Sequence, residues 1–191
     1  MPGEPKIVHC HQGLRRRCLL ALFSALALRP APAWSQTPEI DAPNVVPISA
    51  RLVSSGQPTP AALARLKSQG FGAVVYLAPP TVADAVRDEA AIIERQGMVY
   101  LNLPIRFDQP TEADFDAFAS ALKRLSEHKV LVHCQVNMRA SSMVFLHRVI
   151  VGREAPELAY ADVVKVWSPN GPWKVLMLGL LRKHGIAFEP Y

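Results

Sequence analysis

The stretch from Lys129 to Arg148, KVLVHCQVNMRASSMVFLHR, leaves this chain few ways to fold. Lys129-Val130-Leu131-Val132 is a run of β-branched and apolar residues, the pattern of a strand buried on both faces. His133 and Cys134 follow, then Gln135-Val136-Asn137-Met138, then Arg139. From Ala140 to Val151 an apolar run is long enough for a helix. A cysteine is therefore expected at the carboxyl end of a strand, where a tight turn leads into a helix N-terminus. The free N–H groups of a first helical turn and the positive end of its dipole make such a turn an anion site. They also favour thiolate over thiol; cysteines so placed titrate below the ordinary value of about 8.5. Arg139 can close over the same pocket and fork onto two oxygens of a phosphate or sulfate.

The run His133-Cys134-x-x-Asn137-x-Arg139 resembles the phosphate-binding loop of cysteine-based phosphatases, the protein tyrosine and dual-specificity group. The usual pattern there is H-C-x-x-G-x-x-R-S/T. Here only four residues separate cysteine from arginine, and Ala140 stands at the usual arginine place. The shorter spacing is similar to that of the bacterial beta-lactamase hydrolase-like subgroup, which carries C-x-x-G-x-R and a Ser-Gly-Gln-Pro near its start. Ser55-Gly56-Gln57-Pro58 matches the latter, and the similarity runs from about Pro47 to His184. Rhodaneses, which transfer sulfur, also place four residues between Cys and Arg, so spacing alone leaves two chemistries open.

The phosphatase resemblance implies Cys134 as nucleophile and Arg139 as the clamp on the phosphoryl oxygens. His133, Gln135, Val136, Asn137, Met138, Ala140 and Ser141 then form the substrate cradle, His133 tuning the thiolate. It places the general acid in the loop one helix before the cysteine strand, where Asp108 of Pro104–Pro110 is the candidate. It implies no metal or organic cofactor. Two departures bear on turnover. Asn137 stands where the family has Gly, at a point that needs φ > 0; Asn is the next most tolerant residue. Ala140 stands where the family has a hydroxyl that helps the thiolate leave, and Ser141 or Ser142 is the nearest substitute. Ser55 or Gln57 is expected to border the site.

Residues 1–35 read as a secretory signal peptide rather than as part of a fold. Arg15-Arg16-Arg17 is a positive n-region, Cys18–Leu28 an apolar h-region too short for a membrane span, and Ala33-Trp34-Ser35 a small-x-small cleavage site. An uncleaved anchor is the alternative. A periplasmic or secreted location is expected, with no membrane span after cleavage. Of the chain's 21 Lys and Arg and 16 acids, residues 1–35 hold five bases and Glu4, which leaves 16 bases, 15 acids and a charge of +1. No basic stripe remains to suggest nucleic acid. Cys10 and Cys18 leave with the signal, so Cys134 has no disulfide partner. His128, His133, His147 and His184 lack metal-ligand spacing.

Residues 36–47 are Pro-rich and expected as a flexible arm, with a single domain over 48–191. Its expected elements are a weak strand at Ala50–Ser54, a helix capped by Thr59 with Pro60 at its first position and running to Gln69, and a buried strand at Ala73–Leu77. A helix over Thr81–Gln96 and a strand over Met98–Leu103 follow. After these come a helix from Thr111 to Glu127, with Phe115, Phe118, Leu122 and Leu125 on one face, then the cysteine strand and its helix. Helices at Pro156–Trp167 and Trp173–His184 close the chain, Trp167 and Trp173 being core pieces. This order predicts an α/β three-layer sandwich around a mostly parallel sheet of four to five strands, with a strand-loop-helix anion site. The expected function is an exported phosphatase acting on phosphate monoesters of a small molecule or protein. The alternatives are sulfur transfer through a persulfide on Cys134, or anion binding without turnover.

Overall fold

The cysteine strand, β5 (Val130–His133), is buried along its whole length and lies at the centre of a five-stranded sheet. Its neighbours are β2 (Leu52–Ser55) and β3 (Ala73–Tyr76), both parallel to it; β4 (Val99–Asn102) pairs parallel with β3, and β1 (Val46–Ser49) pairs antiparallel with β2. The order is β1-β2-β5-β3-β4. The computed structural model describes Gly3 and residues 39–191, and the latter lie within one compact unit, Ser35–Tyr191. The expected export signal lies outside the described residues.

Alternation along the strands divides the apolar residues between two layers. Val53, Val74 and Leu131 face one side, against Leu63 and Leu66 of the α1 region (helix α1, Pro60–Leu63) and Ile93 of α2 (Glu89–Glu94). Ala73, Val75, Val130 and Val132 face the other side, which packs on α3 (Glu112–Arg124), α4 (Met138–Ile150), α5 (Pro156–Val163) and α6 (Gly171–Lys183). Each fully buried Val or Leu in this arrangement contributes about 1.5–3 kcal/mol of transfer free energy. Helix α4 runs behind the sheet with every side chain from Arg139 to Leu146 buried, as its unbroken apolar run predicts. Helix α3 opens on a full capping box: Asp114 N–H donates to Thr111 Oγ1, and Thr111 N–H to Asp114 Oδ2. Among the described residues no helix is long and apolar enough to cross a membrane.

Three expected elements differ in the structure. The segment expected as an arm is folded over residues 39–47: Ile40 is buried, and Val46 and Pro47 belong to β1, which supplies the fifth strand. The helix expected to reach Gln69 stops at Leu63 and resumes as a 3₁₀ turn, Lys67–Gln69. Gln96 makes that break tolerable. Its Nε2 donates to the Leu63 carbonyl at 3.0 Å, which also accepts the Leu66 N–H at 3.3 Å, and its Oε1 accepts the N–H of Lys67 at 3.2 Å. The helix expected over Thr81–Gln96 is reduced to α2, and residues 80–88 are turns.

Register explains what the sheet presents at one edge. Ser55 pairs with His133, His133 with Tyr76, and Tyr76 with Asn102, so the last residues of β2, β5, β3 and β4 stand in one row. The segments that follow them, from Gly56, Cys134, Leu77 and Leu103, all leave the sheet on the same side. An open α/β sheet places its ligand crevice at such an edge.

Candidate active site

Cys134 follows β5 directly and is fully buried; its N–H donates to Ser55 O of the adjacent strand at 3.3 Å. The next residues turn their carbonyls outward. Gln135 O accepts the N–H of Gln57 at 2.9 Å, Val136 O accepts Asn44 Nδ2 at 3.0 Å, and Asn137 O accepts Ser141 N–H at 2.8 Å inside α4. Peptide planes whose carbonyls point out direct their N–H groups in. No group among the described residues accepts a hydrogen bond from the backbone N–H of Gln135, Val136, Met138, Arg139 or Ala140, while the antiparallel bridge between Gly56 and Val136 turns the Asn137 N–H toward Ser55 O. The loop thus offers unpaired donors at the start of a helix, with Cys134 at its base.

Asn137 has φ +72°, the left-handed conformation that the sequence pattern required of it. Its side chain adds what Gly could not: Nδ2 donates to Asn44 O at 2.7 Å and to Ser54 Oγ at 3.1 Å, both below the loop. The Ser55-Gly56-Gln57-Pro58 turn is the other support. A Cβ on Gly56 would stand 2.7 Å from Gln135 O and 2.9 Å from Pro43 Cβ, so only glycine lets the two backbones approach.

Gln57 leads to a buried polar chain. Its Nε2 donates to Glu89 Oε2 at 2.8 Å, and Glu89 Oε1 lies 2.6 Å from His133 Nε2, with Glu89 2% and His133 0% exposed. A carboxylate only accepts, which places the imidazole proton on Nε2. The ring is held from the side by Tyr76, stacked at 4.7 Å. Burial pushes the Tyr76 hydroxyl up to about 12; the charges of Glu89, Asp84 and Cys134 add to this and Arg139 opposes it.

Arg139 extends to the mouth of the loop and is 6% exposed. Its Nε donates to Ile105 O at 2.9 Å, one Nη donates to Gln135 Oε1 at 3.3 Å, and the guanidinium lies over the Phe107 ring at 5.1 Å. Phe107 is backed by Trp167 and by Trp173, whose indole N–H donates to Phe107 O at 2.9 Å. The two tryptophans therefore brace the 104–110 loop instead of facing a ligand, in keeping with the core role the sequence suggested.

Asp108, the expected general acid, lies on the exposed face of the 104–110 loop, paired with Arg106. Both its oxygens accept from the Arg106 guanidinium, at 3.2 and 2.7 Å, and the two side chains are 70% and 66% exposed. The hydrogen bond from Arg106 holds the Asp108 carboxyl below the usual carboxylate range. Ser141 and Ser142 differ from expectation. Both hydroxyls donate to Met138 O within the first turn of α4, at 3.2 and 2.9 Å, so neither replaces the hydroxyl missing at Ala140. Among the described residues no three His, Cys, Asp or Glu side chains gather as a metal site.

Residues 33–165 match the model of a family described as DSP-PTPase phosphatase fused to NAD+ kinase. The chain belongs to that phosphatase family. A beta-lactamase hydrolase-like protein of Xylella fastidiosa (strain Temecula1 / ATCC 700964) is 34% identical over 114 residues, 58% of this chain and 26% of that protein. The chain thus spans about a quarter of the length of its curated relative. A solved candidate phosphatase (DUF442) from Shewanella putrefaciens CN-32 is similar at 26% identity and a TM-score of 0.69, over 75% of this chain and 94% of that one. Tk-PTP in its active form shares the fold at 20% identity and a TM-score of 0.58, over 74% of this chain and 96% of that one.

Within that phosphatase fold, sequence reasoning missed Asn44, Tyr76, Asp84 and Glu89. The signal for the last two was positional. They follow a strand that pairs with the cysteine strand, so the turn bearing them leaves the same sheet edge. Gln135 Nε2 reaches Asp84 Oδ1 at 2.8 Å.

Proposed function

We propose that the protein is an exported phosphatase that hydrolyses phosphate monoesters through a phosphocysteine on Cys134. The reading is supported above all by the unpaired N–H groups of Gln135, Val136, Met138, Arg139 and Ala140 around a buried cysteine, with Arg139 at the mouth. Donors fixed in advance stabilise the charge on the equatorial oxygens during transfer. Arg139 adds a planar fork once phosphate displaces its contact with Gln135. The Glu89–His133 contact fixes the ring beside the nucleophile, so that Cys134 is presented at one height to the incoming phosphorus. The residues fit a reaction that needs no cofactor, and the substrate is a phosphorylated small molecule or protein. Export rests on the residues before Gln36, and N-terminal sequencing of the secreted or periplasmic protein should begin at Gln36.

Hydrolysis of an aryl phosphate under reducing conditions, beside Cys134→Ser, tests the mechanism. Vanadate-sensitive turnover that disappears in the variant is expected; turnover that persists in Cys134→Ser would sink the phosphocysteine. The four-residue spacing from Cys134 to Arg139 favours one second reading, sulfur transfer through a Cys134 persulfide. Cyanolysable sulfur on the purified protein, together with absent phosphatase activity, would put that reading first.

A further inference from the structure

The cradle accounts for one phosphoryl group, and whatever lies beyond that group meets the rim. The rim is a continuous row of side chains. The Phe107 ring lies under the Arg139 guanidinium at 5.1 Å, Arg139 donates to Gln135 Oε1 at 3.3 Å, and Gln135 Nε2 donates to Asp84 Oδ1 at 2.8 Å. Two hydrogen bonds through a single amide therefore separate a carboxylate from the guanidinium at the mouth. Asp84 is exposed and forms no ion pair among the described residues. The other charges nearby are engaged or stand apart. Arg106 is paired with Asp108 through two hydrogen bonds, and Glu89 is buried against His133. Arg87 and Asp88 are exposed on the same turn as Asp84, and no hydrogen bond joins either side chain to the cysteine loop among the described residues. Tyr76, the last residue of β3, registers the local balance: the charges of Glu89, Asp84 and Cys134 act on its hydroxyl in one direction and Arg139 in the other. Val136 of the loop and Phe107 are both exposed and carry no charge to offset Asp84.

We infer that Asp84 is a specificity-determining residue, which selects phosphate monoesters whose remaining groups are neutral or cationic and turns away substrates with a second anionic group. This rests on the phosphatase reading of Cys134. A phosphate dianion in the cradle takes up the positive charge of Arg139 and of the loop donors. Asp84 then stands beside the ester as a carboxylate with no cation of its own. A second phosphate or carboxylate on the substrate meets it as a like charge, and an ammonium meets it as a partner. Gln135 fixes where that charge sits, since its amide is held between Asp84 and Arg139. Repulsion of this kind asks for no exact fit, which suits an exposed side chain. Because Asp84 is exposed, salt screens it: the Debye length is about 30 Å at 0.01 M and about 8 Å at 0.15 M.

Three aryl phosphates with leaving phenols of similar acidity separate charge from chemistry. They are phenyl phosphate, tyramine O-phosphate, which ends in an ammonium, and the O-phosphate of 3-(4-hydroxyphenyl)propanoate, which ends in a carboxylate. With the full protein at about 0.01 M ionic strength, kcat/KM for the ammonium ester should exceed that for the carboxylate ester by about 10-fold, with phenyl phosphate between them. Asp84→Asn should bring the ratio close to one, and Asp84→Lys should invert it. Raising the salt should shrink the wild-type ratio and leave that of Asp84→Asn where it is. A wild type without the preference, or an Asp84→Asn variant that keeps it, would overturn the assignment. Matched melting temperatures are expected, because Asp84 is exposed, and show that the variants are folded. Calorimetric affinities of Cys134→Ser for the three esters should follow the same order, a readout that needs no turnover. That order without Cys134-dependent hydrolysis would end the phosphatase reading and leave the charge rule standing; hydrolysis without that order would do the reverse.

Discussion

The underside and the rim of the cysteine loop are built on opposite terms. Beneath the loop the partners are buried, half-buried or backbone: Gly56 against Gln135, Asn137 on Asn44 and Ser54, and the Gln57–Glu89–His133 chain. On the rim the partners are side chains that hold one another: exposed Asp84 with half-buried Gln135, Gln135 with buried Arg139, and exposed Arg106 with exposed Asp108. Buried contacts have one geometry and fix the donors of the loop before any ligand arrives. The exposed rim contacts, Arg106–Asp108 and Asp84–Gln135, exchange for water at little cost, so they can reorganise round a phosphoryl group. The underside thus sets which chemistry is available, and the rim sets when it happens and on what.

The sharpest way to break this comparison is Gly56→Ala. The added methyl must push Gln135 O or Pro43 aside, which shifts the donors of the loop by a fraction of an ångström. A misplacement of about 1 Å costs about 10²-fold, so a shift of a fraction of that should lower kcat/KM by about 10-fold or more, with the far-ultraviolet spectrum unchanged. Gln135→Ala, which trims the rim and keeps the backbone, should cost far less. The comparison is wrong if the two reverse.

Glu89→Ala should come next. It leaves the buried donor of His133 without an acceptor, at about 1–3 kcal/mol, removes the shorter of the two contacts of Gln57 Nε2, and frees the imidazole beside Cys134. Denaturant unfolding reads the first effect, and the rate of alkylation of Cys134 by iodoacetamide reads the second. Glu89→Gln, which keeps the shape and one acceptor, should recover most of the stability. Loss of stability with an unaltered alkylation rate would reduce Glu89 to a packing residue.

How far these features were legible depends on whether they are local in sequence. Cys134, Arg139 and the left-handed Asn137 are neighbours in one strand-turn-helix, and the pattern of Lys129–Val151 specified their arrangement. The parallel sheet followed from alternating apolar runs and helices. Glu89 and Asp84 were not legible because nothing local marks them: they sit in apolar helical spacing, Val82, Val86, Ala90 and Ile93, that predicts one long helix. That spacing lost to position. Residues 80–88 lie beyond the sheet edge, where Val82, Ala85 and Val86 reach the core as turns, and hydrogen bonds from Gln135 to Asp84 and from Gln57 to Glu89 hold the segment at its middle and its end. Gln96 broke the other expected helix by a contact across about 30 residues of chain, which no local propensity encodes. Strand β1 was hidden by prolines at an edge, where a missing N–H does no harm.

Ala140→Ser should have a moderate effect of opposite sign. Ala140 is fully buried after Arg139, and both nearby serines are committed to Met138 O. If the missing hydroxyl limits breakdown of phosphocysteine, the wild type shows a burst of released alcohol followed by a slow steady rate. The variant should then raise that steady rate several-fold and shrink the burst. A wild type without a burst would place the slow step before phosphocysteine and leave the rim in control.

The smallest expected effect lies away from both surfaces and separates the pH dependence of stability from that of rate. His147 sits on α4 behind the sheet, edge-on to Phe118 of α3, and burial pushes its imidazole below the ordinary range. Between that lowered value and about 6.5 the unfolded chain binds a proton that the folded chain refuses. Stability therefore falls as pH drops through this window, and is unaffected by His147 above it. Urea midpoints measured from neutral to mildly acidic pH should fall less steeply in His147→Gln than in the wild type, while the two pH–rate profiles superimpose. A rate profile that moved with His147 would mean that the back of α4 communicates with its N-terminal turn, and the division between a fixed underside and an adjustable rim would have to include the helix that supports them both.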